Sequence, residues 1–184
     1  MAIVKIAGLD PSLTHFGMVK GNLDLDTNLF EITELKLQKT EPSKIKSQRK
    51  NCDDIDRIRL LYTSMHDFIK DVDVVVAELP VGSQSARSMV SYAVSLSMLA
   101  TVSTVFVPVT PIEVKMATVG SKTATKKEMI EWATTKYPNA NWLTQKRLGV
   151  IELINDNEHL ADATATIEAF KQTNEYKQFK LFRN

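Results

Sequence analysis

The pattern of apolar and polar positions predicts a strand-rich first part of the chain. Apolar residues alternate or run together at about 2–9, 16–24 and 29–38, which predicts three strands joined as a meander. A polar stretch rich in Lys and Ser follows at 39–51 and is predicted to be a loop. Residues 53–70 repeat apolar side chains at helical spacing, so a helix is predicted there.

The second part alternates predicted strands and helices. Apolar runs over 72–78 and 105–109 predict two more strands, with a helix between them at about 85–103. A short helix is predicted after Pro111, and a longer helix has Thr125 as its N-cap and ends before Pro138. The segment 138–157 is ambiguous and suggests a short helix at Leu143–Ile154, and the last helix begins near Glu158.

These elements predict an α/β fold with one five-stranded mixed sheet, three strands antiparallel and two parallel, flanked by helices. At 184 residues the chain is long enough for one domain with a layered core, and it contains no internal repeat. We therefore expect residues 1–184 to form a single domain.

The charges are nearly balanced, with a net charge of +1, so the overall field does not indicate a nucleic-acid-binding protein. The basic residues are clustered, however, and such clusters can follow a phosphate backbone, although a solvated loop is the commoner explanation for the first and last cluster. The clusters are Lys36, Lys39, Lys44, Lys46, Arg49 and Lys50; Lys115, Lys122, Lys126 and Lys127; and Lys171, Lys177, Lys180 and Arg183.

The single cysteine, Cys52, rules out an intramolecular disulfide and is typical of a reducing compartment. No signal peptide or apolar run of membrane-spanning length is visible. We therefore expect a cytoplasmic protein that does not associate with membranes.

Acidic residues stand where two predicted strands end. Asp10 closes the first strand beside a Pro- and Ser-containing turn, and Glu78 closes the fourth strand. On the last helix His159 and Asp162 are three positions apart and share a face. Such a set of oxygen and nitrogen donors suits Mg²⁺ or Mn²⁺, and two ions would activate water and stabilise the leaving oxygen of a phosphodiester. The structural alternatives are a turn aspartate, a helix-capping glutamate, a core histidine and an exposed helix charge.

Four segments of the chain resemble, in order, the RuvC-type Holliday junction resolvases of the RNase H-like superfamily in their phage-like form. Residues 8–14 (GLDPSLT) resemble the first family motif, and Ala77 with Glu78 resembles the second. Residues 109–115, 119–121 and 125–129 resemble a segment of short helix, glycine loop and basic helix start. Residues 159–163 (HLADA) resemble the last motif, so the resemblance extends over most of the chain.

The resemblance implies a metal-dependent endonuclease that cuts Holliday junctions and other branched DNA. Asp10, Glu78, His159 and Asp162 would hold two Mg²⁺ or Mn²⁺ ions, with His159 as ligand or general base and Lys115 stabilising the transition state. DNA contacts are expected from basic side chains of the middle segments. These are Arg87, Lys122, Lys126 and Lys127. The apolar helix after Glu78 would form the interface of a homodimer, although packing in the core would also explain its apolar character.

Two other functions remain open from the sequence. One is a branched-DNA-binding protein without catalysis, which the intact acidic set disfavours. The other is part of an actin-like or sugar-kinase ATPase, whose phosphate loop also follows a strand with Gly-x-Asp but which needs a second related domain.

The chain departs from the family pattern at two places. Val81 stands where many relatives carry an aromatic residue, and the stretch before His159 is longer, with Trp142, Lys146 and Arg147 inside it. That stretch could be a lid, a DNA contact or an ornament of this chain, and Trp142 could stack on a base or simply pack. His15 is interpreted as a turn residue.

Overall fold

Five strands form a mixed sheet in this computed structural model, which describes residues 2–80, 82 and 85–183, without the side chains of Arg87 and Arg183. The strands are β1 (Ile3–Asp10), β2 (His15–Asp24), β3 (Phe30–Lys39), β4 (Val74–Glu78) and β5 (Val105–Val109). Their order is β3-β2-β1-β4-β5. The first three strands pair antiparallel, and β4 and β5 run parallel to β1. The predicted α/β fold and its mixed sheet are confirmed.

Helices cover both faces of the sheet. They are α1 (Lys50–Ile69), α2 (Ala86–Leu99), α3 (Pro111–Thr118), α4 (Lys126–Lys136), α5 (Asn157–Phe170) and α6 (Asn174–Arg183). On one face, α1 and the end of α2 bury Leu61, Met65 and Met98 against the sheet. On the other face, α3 to α6 bury side chains such as Met129 and Phe170. The result is a three-layer arrangement with a core on each side of the sheet.

Local sequence explains where α3 and α4 begin. Thr125 caps α4 as predicted, because its hydroxyl accepts from the backbone N–H of Glu128 while the Glu128 carboxylate accepts from that of Thr125. Thr110 and Glu113 form the same reciprocal pair at the start of α3. Both pairs are capping boxes, in which Thr and Glu three positions apart satisfy the free N–H groups of the first turn.

The predicted helix at Leu143–Ile154 is wrong, because this segment is a hairpin of β6 (Thr144–Arg147) and β7 (Val150–Leu153). Leu148 and Gly149 form the turn with φ of 50° and 85°. Positive φ at both central residues matches the right-handed twist of paired strands and would break a helix. All residues of both strands are exposed, so no alternation of buried and exposed positions marked the segment as strands.

The C-terminal part also differs from the prediction of one last helix, since α5 ends at Phe170 and α6 follows as a separate helix. Trp142 packs against the core and donates from Nε1 to the carbonyl of Tyr137 at 2.9 Å. Of the two interpretations of Trp142, stacking on a base or packing in the protein, the structure supports packing. Val81 lies outside the described residues. Across the described part of the chain, no helix combines the length and apolar character needed to cross a membrane.

Candidate active site

Two acidic side chains come together because two strands end side by side. In the parallel pairing of β1 and β4, Leu9 lies opposite Ala77, so Asp10 and Glu78 occupy the next position of each strand. Both residues are partly buried at this edge of the sheet. Adjacent carboxyl ends of parallel strands are a common location for functional residues in open α/β sheets.

Helix α5 brings the other two predicted residues to the same place. Every residue of α5 is described, and all of them are buried except Glu158, His159 and Asp162. These three lie at helical positions i, i+1 and i+4 and therefore share a face. The face is turned toward Asp10, since His159 contacts that carboxylate directly.

Two glycines allow α5 to lie this close to the sheet. A Cβ added to Gly8 would come within 2.1 Å of the Ala163 carbonyl oxygen, and one added to Gly17 within 2.1 Å of the His159 carbonyl oxygen. Any larger residue would push the helix away and displace His159 and Asp162. The glycine two positions before Asp10 is therefore a packing requirement of the site.

His159 is fixed by two neighbours. Its Nδ1 lies 2.8 Å from Oδ2 of Asp10, and its ring stacks on His15 with centroids 5.2 Å apart and planes at 12°. Burial alone would lower the pKa of His159, but the hydrogen bond to Asp10 and the charge of that carboxylate raise it above its usual value. His15, interpreted from sequence as a turn residue, begins β2 and belongs to the site.

The ionised forms of Glu78 and Asp162 are disfavoured by their surroundings. Burial, together with the charges of Asp10 and Asp162, raises the pKa of Glu78 to about 8. Burial, together with the charges of Asp10 and Glu158, raises the pKa of Asp162 to about 7. The ammonium group of Lys115 on α3 opposes both shifts, so the sequence-predicted Lys115 lies near the acidic cluster.

The donor set fits a divalent cation. Among the residues that the structure describes, no three His, Cys, Asp or Glu side chains are already arranged as metal ligands. The carboxyl groups of Asp10, Glu78 and Asp162 nonetheless lie close together, and the charge of Asp10 disfavours the ionised forms of Glu78 and Asp162. Hard cations prefer such oxygen donors and would relieve this repulsion.

Buried polar contacts hold the loop after Asp10, and the sequence analysis missed them. Ser95 of α2 donates to the Pro11 carbonyl at 3.2 Å, and Ser91 accepts from the Leu13 N–H at 3.2 Å. Arg57, which is 4% exposed, donates to the Leu13 carbonyl at 3.2 Å. The sequence did indicate that Arg57 is buried, because Arg57 lies four positions before Leu61 and so shares the apolar face of α1.

Among the basic residues predicted to bind DNA whose side chains the structure describes, Lys126 is the one whose charge acts on Glu158 and Asp162. Lys122, Lys126 and Lys127 are exposed at or just before the start of α4. Lys126 pairs with Glu158 at 2.8 Å, and both line a cavity of about 770 Å³ between α4, β7 and the start of α5. Arg87 lies in α2, but its side chain is outside the described residues.

The five-stranded sheet thus carries acidic residues at the ends of β1 and β4, and α5 adds a third beside them. Comparison with solved structures identifies proteins that have a similar fold. Thermus thermophilus RuvC in complex with a Holliday junction substrate is 18% identical, with a TM-score of 0.61 over 91% of this chain and 92% of that one. A second Thermus thermophilus RuvC structure is also 18% identical, with a TM-score of 0.57 over 90% and 92%.

The Fowlpox virus resolvase in complex with its Holliday junction substrate is 12% identical, with a TM-score of 0.51 over 95% of this chain and 98% of that one. No protein-family model and no curated protein sequence matches the chain. The chain therefore has the fold of the RuvC-type Holliday junction resolvases, and the fold expected from its motifs is confirmed.

Proposed function

We propose that this protein is a divalent-metal-dependent endonuclease that resolves Holliday junctions and other branched DNA. The observation that carries the proposal is the convergence of Asp10, Glu78, His159 and Asp162 at one edge of the sheet. The fold supports it, since both the Thermus thermophilus and the Fowlpox virus enzymes were solved with a Holliday junction.

In this proposal Asp10, Glu78, Asp162 and His159 hold Mg²⁺ or Mn²⁺, two ions per site. When bound, such ions would supply Lewis-acid chemistry, which activates water and stabilises the leaving oxygen of a phosphodiester. His159 acts as a ligand or as the general base that takes the proton of the attacking water, and either role uses its neutral imidazole. Lys115 lies near enough to the acids to stabilise negative charge that develops on the phosphate.

DNA would approach along the basic side of the acidic cluster. Lys122, Lys126 and Lys127 are exposed there, and Arg87 is proposed as a further contact. Because these side chains bind the phosphate backbone while the carboxylates bind metal, affinity for DNA and cleavage are separable properties.

Cleavage of a panel of end-labelled substrates tests the proposal. With Mg²⁺ present, we expect the protein to cut four-way junctions, three-way junctions and forks, and to leave linear duplex intact. EDTA should abolish cutting. A protein that binds these junctions tightly but cuts none of them with Mg²⁺ or Mn²⁺ would instead be the inactive junction-binding protein considered above.

Paired cleavage of two strands requires two active sites, and we propose a homodimer formed through α2. This helix leaves apolar and small side chains in solvent, including Met89 at 41% and Val90 at 40% exposure, with Ala93 on the same side. Met98, in contrast, is 2% exposed and belongs to the core of the subunit. The exposed part of α2 is therefore the surface to change.

Val90→Asp should convert the dimer to a monomer that nicks junctions on one strand, because an unpaired carboxylate would be buried in an apolar interface. Light scattering gives the mass, and a supercoiled cruciform plasmid separates nicking from paired cutting. Val90→Ala, which keeps the surface apolar, is the control. A wild-type monomer that makes paired cuts would rule out the dimer.

A further inference from the structure

The β6–β7 hairpin exposes more apolar surface than a soluble protein normally leaves in water. Its apolar side chains and their exposures are Leu148 at 98%, Ile151 at 72%, Val150 at 59% and Leu153 at 46%. Apolar side chains that are exposed together on one element are typical of a binding site. An isolated two-stranded hairpin is also marginally stable by itself. The hairpin therefore carries apolar groups that do not stabilise the free protein.

Leu148 lies at the tip of the hairpin in a backbone conformation that is unfavourable for leucine. Both central residues of the turn have positive φ, 50° for Leu148 and 85° for Gly149. Turns of this type favour Asn-Gly, since asparagine tolerates the left-handed region better than a bulky apolar residue. The turn would form more readily with asparagine, so the leucine serves something other than the turn.

Positive charge stands next to this apolar tip. Lys146 and Arg147 precede Leu148 directly, and in the strand pairing they lie opposite Ile151 and Val150. Because paired residues point to the same face, one face of the hairpin carries Arg147 beside Val150, and the other carries Lys146 beside Ile151. Glu152 is the one acidic residue of the hairpin, so its net charge is positive. A polyanion with apolar surfaces, such as nucleic acid with exposed bases, complements this surface.

The base of the hairpin is fixed to the catalytic helix. Asn157, the first residue of α5, is fully buried and accepts from the Leu143 N–H at 2.9 Å. Its Nδ2 donates to the carbonyls of Leu143 at 2.7 Å and Ile154 at 3.1 Å. His159 and Asp162 follow on the same helix. The position of the hairpin is therefore coupled to that of the acidic cluster.

The hairpin also borders the cavity between α4, β7 and the start of α5. Leu153 of β7 lines it together with Lys126 and Lys127 of α4, and Glu158 lies where the cavity meets the acidic cluster. The start of α4, the hairpin and the start of α5 therefore meet around one cavity.

We propose that the β6–β7 hairpin inserts Leu148 between bases at the branch point of the DNA, with Lys146 and Arg147 on the flanking phosphates. The inference rests on the proposed function and assigns the recognition of the branch to this element. Apolar side chains such as leucine are known to wedge between base steps and unstack them. Bases at a branch point are already less well stacked, so insertion there costs less than in continuous duplex.

The test uses Leu148→Asn, which removes the apolar tip but suits the turn and so keeps the hairpin. Both the parent and the variant carry Asp162→Asn to prevent cutting. The probe is a four-way junction with 2-aminopurine at the branch point, whose fluorescence rises on unstacking. We expect the parent to raise the fluorescence and Leu148→Asn to abolish the rise. Leu29→Asn, at a turn residue that is 71% exposed in the β2–β3 connection, should behave as the parent.

Binding gives a second measurement. Leu148→Asn should reduce the preference for the junction over linear duplex by about tenfold to a hundredfold, the factor that burial of one leucine side chain corresponds to. Leu148→Phe should keep the preference. Affinity for linear duplex should not change, because the lysines and Arg147 remain.

Two results would overturn the inference. One is an unchanged fluorescence rise and junction preference in Leu148→Asn. The other is a change of oligomeric state in that variant, which would make the hairpin an interface between copies of the chain. Failure of the proposed function has a different signature, namely that the protein without Asp162→Asn cuts no DNA, whatever the 2-aminopurine signal shows.

Discussion

Asp10→Asn, Glu78→Gln and Asp162→Asn should each abolish cleavage of a four-way junction while leaving its binding intact. Each substitution keeps the shape of the side chain and removes one charge from the set proposed to hold metal. Loss of several kcal/mol of transition-state stabilisation is expected from a damaged metal site, which corresponds to a rate lower by about 10³-fold or more. Single-turnover cleavage and gel-shift titration measure the two properties separately.

Thermal unfolding provides a measurement independent of cleavage. Mg²⁺ should raise the Tm of the wild-type protein, because a cation that binds only the folded state stabilises it, and should have little effect on Asp162→Asn. Asp67→Asn, an exposed carboxylate of α1 far from the site, is the control and should match wild type in both assays. Near-native cutting by any of the three variants would remove that residue from the catalytic set.

Glu168→Gln should destabilise the fold by about 3–5 kcal/mol at pH 7, the cost of breaking a buried ion pair. Glu168 is 7% exposed and accepts from Lys171 and Lys136 at 2.7 Å and from the Tyr137 hydroxyl at 2.5 Å. The glutamine would leave two ammonium groups without their counter-charge. Glu175→Gln, an exposed position of α6, should change the free energy of unfolding by less than about 0.5 kcal/mol.

The effect of Glu168 should depend on pH with a definite sign. Burial raises the pKa of its carboxyl, but Lys171, Lys136 and Tyr137 outweigh burial and hold the pKa below its usual value of 4.5. The folded state therefore binds this proton less tightly than the unfolded state, and stability from the carboxylate is present above the usual pKa and lost as the pH falls through the folded-state pKa. Urea unfolding of both proteins should show the difference shrinking on acidification. A constant difference down to pH 3 would contradict the charge-based explanation.

Features that depend on neighbouring residues could be predicted from the sequence. The Thr125 capping box needs only Thr125 and Glu128, and the strand-end positions of Asp10 and Glu78 follow from apolar runs that stop there. That these ends meet required one further step, the pairing of two parallel strands. The Asp162 position could be inferred because a helical repeat fixes it relative to His159.

Features that depend on residues far apart along the chain could not be predicted from the sequence. His15 joins the site only because α5 crosses the start of β2, which no pattern near residue 15 reveals. The clamp of Asn157 on Leu143 is likewise invisible along the chain. The hairpin was misinterpreted for another reason: its apolar residues face solvent, so their spacing follows neither the period of a buried helix nor that of a half-buried strand.

The contact between α5 and the first strands determines when, during synthesis of the chain, the site can form. His159 and Asp10 are 149 positions apart, and α5 packs on β1, β2 and β4, the strands that are synthesised long before it. Domains fold as units once the partners of their non-local contacts are available. A growing polypeptide that has not yet released α5 from the ribosome holds Asp10 and Glu78 without the helix that completes their site. On the proposed function, DNA cleavage would therefore begin only after α5 has been synthesised, because a shorter chain lacks His159 and Asp162.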